Sequence, residues 1–313
     1  MENKVNYSII IPHYNIPDLL RRCLRSIPER NDTQVIVVDD QSDDRDTYHY
    51  AVPELHRKNV EFHVVDKKNG AGHARNVGLK YAKGKWLIFA DADDFFSDEF
   101  NDILNEYVNE PEDVMFFNTQ SCYSNDISVT FQRSYDVLFE NYRKTSDRRW
   151  FSICYPQPWG KIVSHRLVVE NSITFQETIA NNDLLFSIKT GTLAKSIKVV
   201  DRLLYWYTFR KGSLTSSIKK EPLTTVFDRI KAYYASQRFL EENNVKVNFP
   251  LHWIPIKGFL PFDIQRFRHC LDFMKCNKME TQGFLYRSMV SCLRYPFVRL
   301  RLIRDKGLYD LIS

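Results

Sequence analysis

The chain opens with a rhythm of short apolar runs, each stopping at a group of polar residues. Tyr7-Ser8-Ile9-Ile10-Ile11 is β-branched and ends at Pro12. Gln34 to Val38 is a second run, ending in Asp39-Asp40; Val60 to Val65 is a third; Trp86 to Ala90 is a fourth, stopping at Asp91. Runs of this length with little polar alternation predict strands buried on both faces. Between them the apolar positions move to helical spacing. Leu19, Leu20, Cys23, Leu24 and Ile27 share one face of a helix opening at Pro17, a second helix is expected over Thr47 to Arg57 despite Pro53, and a third over Ala71 to Ala82. Strands alternating with helices at this interval predict an α/β domain, a mostly parallel sheet flanked by helices.

Further along, Ser97 opens a helix with Phe100, Ile103, Leu104 and Tyr107 as its apolar face, and Asp113 to Asn118 reads as a strand. The stretch to about residue 215 reads as short strands and loops, including Ile197 to Tyr207. From Glu221 helices dominate, over Leu223 to Glu242, Pro261 to Lys275 and Thr281 to Arg294, with a break at Asn243 to Pro250. The pattern divides the chain into an α/β domain over 1–220, with halves 1–118 and 119–220, and a helical appendix over 221–313.

Charge sharpens this division. Residues 251–313 hold 11 Lys and Arg against 5 Asp and Glu, so the net charge of +5 belongs to the C-terminal region. The six cysteines form no CxxC pair, which argues against a zinc knuckle or a disulfide framework and for free thiols in a reducing compartment. The N-terminus has no apolar signal segment, and no apolar run approaches the length of a membrane span, so a cytoplasmic location is expected. The aromatic content of 14% fits base- or sugar-stacking surfaces and a large aromatic core alike.

In sheets of this kind ligands bind beyond the carboxyl ends of the strands. Three polar clusters sit there: Pro12-His13-Tyr14-Asn15, Asp39-Asp40-Gln41-Ser42-Asp43 and Asp91-Ala92-Asp93-Asp94. Asp91-Ala92-Asp93 supplies carboxylates of the kind that hold Mn2+ or Mg2+ together with substrate phosphates. Such acids also suit a solvated turn or a helix N-cap. The buried strand before them and the Phe95-Phe96 wall after them favour a site.

These clusters carry a resemblance. Ser8-Ile9-Ile10-Ile11-Pro12-His13-Tyr14-Asn15, Val35-Ile36-Val37-Val38-Asp39-Asp40-Gln41-Ser42, Asn69-Gly70-Ala71-Gly72-His73-Ala74-Arg75-Asn76-Val77-Gly78 and Asp91-Ala92-Asp93-Asp94 are similar, in order, to the signatures of family-2 glycosyltransferases of the GT-A fold, of the bacterial cell-surface polysaccharide type. Gln41 stands where glycine is commoner. The resemblance implies a Rossmann-like nucleotide-diphospho-sugar transferase fold, with the nucleotide sugar held by 1–118 and the acceptor by 119–220. It implies an inverting, metal-dependent transfer from a nucleotide-diphosphate sugar, UDP being the expected nucleotide, to a glycan or lipid-linked acceptor. Pro12 and Tyr14 would border the nucleoside, Asp40 would accept a hydrogen bond from the base, and Arg75 would approach the diphosphate or ribose; Asn15 and Asp39 would belong to the same donor site, Asp39 suiting a structural turn cap equally. Asp91, Ala92 and Asp93 would line the donor site, with Asp93 and then Asp91 as metal ligands.

The resemblance continues through Pro158-Trp159-Gly160-Lys161 and Asn182-Asp183. It implies acceptor contacts from Trp159, Lys161 and Asn182, with Asp183 as general base. The family pattern has Glu where Asn182 stands, and losing that acid should lower the Asp183 pKa slightly. Arg210, Lys211 and Ser213 resemble a segment that closes over the diphosphate. The C-terminal run Arg294-Tyr295-Pro296-Phe297-Val298-Arg299-Leu300-Arg301-Leu302-Ile303-Arg304 suits two readings, a peripheral contact with an anionic membrane and a helix packed on its own domain. No recognition motif supports nucleic-acid binding. A sugar-nucleotide nucleotidyltransferase shares this architecture, but the segment after the first strand lacks the glycine-rich loop that class needs. A non-catalytic binding protein is disfavoured by the joint presence of Asp40, Asp91, Asp93 and Asp183.

Overall fold

The computed structural model describes residues 4–43, 51–132, 136–210, 222–245 and 264–279. Strand β1 (Tyr7–His13) is buried along its whole length. It pairs in parallel with β2 (Thr33–Asp39) on one side and β4 (Trp86–Phe89) on the other, and β2 pairs in parallel with β3 (Val60–Val64). Both faces of these strands are covered, which is why β1 and β2 are apolar without alternation. Each buried Ile or Val contributes roughly 1.5–3 kcal/mol of transfer free energy.

The second half of the sheet reverses direction. Strand β8 (Lys161–Ser164) lies antiparallel between β4 and β6 (Val114–Tyr123), while β9 (Ile197–Phe209) runs parallel to β6. The order is β3-β2-β1-β4-β8-β6-β9-β5, with β5 (Phe95–Phe96) on β9 and β7 (Asp126–Thr130) on β6. The far end of β9 therefore meets the turn after β4: Phe95 pairs with Trp206, and Phe96 with Tyr205.

Helix α1 (Pro17–Arg25) starts with proline in its first turn, where the missing N–H costs nothing. Helix α2 (Gly70–Tyr81) begins where both Asp40 oxygens accept backbone N–H groups, from Asn69 at 2.9 Å and Gly70 at 2.8 Å. A carboxylate at a helix N-terminus satisfies donors that have no partner within the helix. α2 then lies close on the sheet, because a Cβ at Gly78 would sit 2.5 Å from Ile10 Cγ2. Helix α3 (Phe100–Tyr107) buries the four predicted residues Phe100, Ile103, Leu104 and Tyr107.

Several expectations change. The segment read as loops and short strands holds α4 (Asp136–Thr145), α5 (Arg148–Cys154), α6 (His165–Glu170) and α7 (Leu184–Leu193). α5 and α7 are buried on most sides, so they lack the one-sided apolar stripe that marks a surface helix. Of the helix expected over Thr47 to Arg57, the described part is a 3-10 turn at Pro53–His56, since proline opens a turn and cannot continue one. β6 extends to Tyr123, past the predicted Asn118. Helix α8 (Leu223–Glu242) has the predicted bounds, and α9 (Ile264–Cys276) covers most of the next one. The predicted helix at Thr281 to Arg294, the segment after it, Lys211 and Ser213 lie outside the described residues. Among the described residues no helix is long and apolar enough to cross a membrane.

Gly78→Ala tests the close approach of α2. Alanine gains about 1 kcal/mol of helix propensity, against about 1–3 kcal/mol for overpacking on Ile10. A net loss of stability is expected in urea melts, with the m-value unchanged.

Candidate active site

The strand ends converge because β1, β2 and β4 are in parallel register, with His13 opposite Asp39 and Phe89 opposite Ile10. Asp39 is buried and bound on both oxygens: His13 Nδ1 lies 2.8 Å from Oδ2, Ser42 Oγ donates to Oδ2 at 2.6 Å and Ser42 N donates to Oδ1 at 2.7 Å. Burial pushes its pKa up, but the His13 and Ser42 bonds outweigh burial and hold it below the usual carboxylate range. Asn15 and Asp43 exchange bonds at 2.7 and 2.9 Å, tying the loop after β1 to the loop after β2. Gln41 has φ of 65°, a left-handed conformation that explains the glycine usual at this position. Tyr14 is half-buried, with Lys68 Nζ 3.5 Å above its ring.

The acidic turn after β4 is held from several sides. Asp94 is fully buried, accepting from Tyr205 Oη at 2.9 Å and from Thr208 N at 2.6 Å. The same Tyr205 hydroxyl accepts the Asp91 N–H at 2.8 Å. Thr208 Oγ1 and Arg22 Nη2 both donate to the Asp93 carbonyl. Burial, with Asp93 and Asp91 adding like charge, pushes the Asp94 carboxyl well up. Asp94 thus anchors the turn to β9. Ala92 is buried beside it.

Asp91 and Asp93 remain at the cleft with side chains 30% and 25% exposed. Arg75 Nη2 lies 2.5 Å from Asp91 Oδ1, and Arg210 Nη2 approaches Asp93 Oδ2 at 4.0 Å. Burial and the neighbouring Asp91 push the Asp93 carboxyl up to about 6, although Arg210 opposes this. An excess of negative charge of this kind is what a divalent cation relieves. Among the described residues no group of three or more His, Cys, Asp or Glu side chains forms a metal cage. Asp93 and Asp91 are the residues here that could hold Mn2+ or Mg2+, with phosphate oxygens and water completing the shell.

Arg75 reaches across the cleft. Its Nη1 donates to Asn182 Oδ1 at 2.7 Å, and it is itself buried, so its terminal nitrogens already serve Asn182 and Asp91. Asp183 follows at the N-cap position of α7, yet its side chain makes no capping bond. Burial pushes its carboxyl up, Arg75 pulls it down and Asp91 adds to the rise. The expected lowering is thus outweighed by burial. The loop before Asp183 packs on α2, where a Cβ at Gly72 would come 2.0 Å from Gln176 O and 2.8 Å from Asn182 Cβ. Glu177 fastens it by accepting from Asn69 Nδ2 at 2.8 Å and meeting His73 Nδ1 at 3.0 Å.

Trp159 and Lys161, expected as acceptor contacts, are both buried. Lys161 is fully buried, with Nζ 3.4 Å from Tyr155 O and beneath the Phe116 and Tyr155 rings, and burial brings its pKa down to about 7. Trp159 is buried against Tyr205 at 5.2 Å in a stacked arrangement. Trp159 backs the wall that carries Tyr205, and Lys161 lies within electrostatic reach of Asp183. Sequence reasoning did not find Tyr205, Thr208 or Arg22 as supports of the acidic turn. Arg22 lies in an ordinary amphipathic helix and had no local signal. A groove of about 580 Å³ between α2 and α6, lined by His73, Lys80 and Val169 among others, contains none of the strand-end carboxylates.

The family model described as glycosyl transferase family 2 matches residues 8–167. Glycosyltransferase GlyA of Streptococcus pneumoniae serotype 4 is 26% identical over 228 residues, 66% of this chain and 31% of that protein. The poly(ribitol-phosphate) beta-N-acetylglucosaminyltransferase TarS of Staphylococcus aureus is 27% identical over 230 residues, 70% of this chain and 38% of that protein. The match thus spans about a third of the length of these curated relatives. The solved structure of S. aureus TarS 1-349 in complex with UDP-GlcNAc superposes with a TM-score of 0.59 at 22% identity, covering 90% of this chain and 75% of that one. The mannosyltransferase PcManGT from Pyrobaculum calidifontis, in complex with GDP-Man and Mn2+, superposes with a TM-score of 0.56 at 14% identity, covering 93% and 87%. The shared architecture is the GT-A fold.

The raised Asp93 pKa has a consequence for stability. Its folded value near 6 lies above the ordinary value of 3.8, so the folded state binds more protons across that window and loses stability as pH rises through it. Asp93→Asn removes the penalty. In EDTA the variant is expected to be about 1–3 kcal/mol more stable than the parent at about pH 8, with the gain gone below about pH 4. Urea melts at the two pH values check this.

Proposed function

The chain belongs to glycosyl transferase family 2, and from that premise we propose that it moves a sugar from a nucleotide-diphosphate donor, UDP-linked, to a hydroxyl of a glycan or lipid-linked acceptor in bacterial cell-surface polysaccharide synthesis. The observation that carries this reading is the arrangement around Arg75. One guanidinium joins Asp91 on the donor side to Asn182 on the acceptor side, next to an Asp183 carboxylate that makes no capping bond. A UDP-sugar complex of TarS and a GDP-Man complex of PcManGT on the same fold support a nucleotide sugar at the strand ends.

The nucleoside would lie over the ends of β1 and β2. Pro12, Tyr14 and Asn15 form one side. Asp40 keeps lone pairs for a base N–H beyond those it gives to α2, and Asp39 holds the loop in shape through Ser42. Asp93 and Asp91 would hold the divalent cation, which when bound neutralises charge developing on the leaving diphosphate. Arg210 lies at the same edge, and with Lys211 and Ser213 would offer positive charge and donors to the diphosphate.

Asp183 acts as general base. Its carboxylate accepts the acceptor hydroxyl proton as that oxygen bonds to the anomeric carbon, and the bond from that carbon to the diphosphate breaks on the opposite face. The configuration therefore inverts. A carboxylate with a pKa raised by burial is the stronger base for this step. Asn182 keeps Arg75 in place without adding charge. The basic surplus of residues 251–313 supports a cytoplasmic protein in peripheral contact with an anionic membrane where a lipid-linked acceptor would be met.

The test is a screen of UDP- and GDP-linked hexoses and N-acetylhexosamines with octyl glycoside acceptors, in Mn2+ and in EDTA. Transfer is expected in Mn2+ and lost in EDTA and in Asp93→Ala. Asp183→Asn is expected to keep donor binding by calorimetry and to lose transfer by about 10²–10⁴-fold. Turnover that persists in EDTA removes the metal, and transfer that survives Asp183→Asn removes the base.

A further inference from the structure

The loop that delivers Asp183 is gripped from a direction the family match does not cover, since the match ends at residue 167. Asn181 has φ of 55°, a left-handed backbone that non-glycine residues adopt at a cost. Arg229 Nη1 donates to its Oδ1 at 2.5 Å. Two residues earlier, Ile179 N donates to Asp228 Oδ2 at 3.0 Å. Both partners are neighbours on α8. That helix is fixed by its own packing: Val226 and Ile230 are buried against Cys270 and Met274 of α9, and Leu240 packs with Leu184 and Ile188 of α7.

On its other side the loop is fastened to α2, where Asn76 exchanges bonds with Phe175 O at 2.9 Å and Phe175 N at 2.8 Å, and Glu177 bonds with Asn69. The chain from 175 to 183 is therefore clamped at its start by α2 and near its end by α8. Asn182 and Asp183 follow the α8 clamp directly. Without it, Asn181 would relax toward negative φ, and the chain direction entering Asp183 would change. A misplacement of about 1 Å costs a positioned catalytic group up to about 100-fold.

We infer that Asp228 and Arg229 are positioning residues for the general base, holding Asn181 in its left-handed turn so that Asp183 faces the acceptor hydroxyl. The inference rests on the proposed role of Asp183. It makes α8 a working part of the transfer reaction through its bonds to the base loop. Asp228 and Arg229 bond the base loop at Ile179 and Asn181, upstream of Asn182 and its bond to Arg75, so their loss is expected to fall on transfer more than on donor binding.

The experiment uses the full chain and the UDP-sugar and octyl glycoside pair that turns over in the screen above. Arg229→Ala is expected to lower kcat about 10–100-fold, with the KM and calorimetric affinity for the donor unchanged. Adding Asn181→Gly to Arg229→Ala is expected to recover most of the loss, because glycine takes positive φ without a side-chain clamp. Asp228→Asn, which preserves shape and weakens acceptance from Ile179 N, gives the same split at smaller size and decides the matter if Arg229→Ala does not fold. An unchanged kcat in these variants, or a parallel loss of donor affinity and melting temperature, overturns the inference, as does failure of Asn181→Gly to recover activity. Asp183→Asn separates the two readings. Transfer surviving it overturns the base and this inference together, whereas transfer lost there but intact in Arg229→Ala overturns this inference alone.

Discussion

Three carboxylates in four residues at the end of a buried strand are a charge problem, and the structure around them is organised by its solution. An unpaired charge out of water is expensive, and like charges close together raise that cost. Asp94 is taken wholly inside and satisfied by Tyr205 and Thr208 N. Asp91 is paired with Arg75. Asp93 is left facing the cleft with its carboxyl pushed up to about 6 by burial and by Asp91. A single four-residue turn thus gives an anchor, a strut and a ligand-facing acid, and the difference among them is set by their neighbours.

Each solution constrains a distant element. To reach Asp94, β9 lies between β6 and β5 in the sheet, which brings Trp206 onto Phe95 and Tyr205 onto Phe96. Trp159 stacks behind Tyr205, and Lys161 lies buried in the same wall. The Pro158-Trp159-Gly160-Lys161 segment thereby supports the acidic turn from behind. To reach Asp91, Arg75 must lie deep in the cleft, so α2 packs tightly on the base loop, with no room for a side chain at Gly72. Donor and acceptor sides are one hydrogen-bonded unit.

Asn182 takes on meaning in this setting. Arg75 is one positive charge among Asp91, Asp183 and residue 182. An amide at 182 accepts the same bond as a carboxylate would, without drawing on that charge, so more of it remains for Asp91 and Asp183. The clamp from α8 supplies what the amide does not, a fixed approach for the chain into Asp183.

The amino-acid sequence by itself determined the strands β1 to β4, the polar clusters at their carboxyl ends and the bounds of α8, because continuous apolar runs, proline and glycine punctuation and helical spacing are local signals. The Asp91-Ala92-Asp93 spacing was legible for the same reason. Only the tertiary structure decided that Asp94 is an anchor, that Arg75 spans Asp91 and Asn182, that Trp159 and Lys161 are buried, and that Asp183 stands at a helix start without capping it. Tyr205 meets Asp94 across 111 positions of chain, and Arg75 meets Asn182 across 107. Pairings over such distances depend on how strands order themselves in the sheet. The helices α5 and α7 were hidden for a related reason: burial on most sides removes the polar face by which a helix announces itself in sequence.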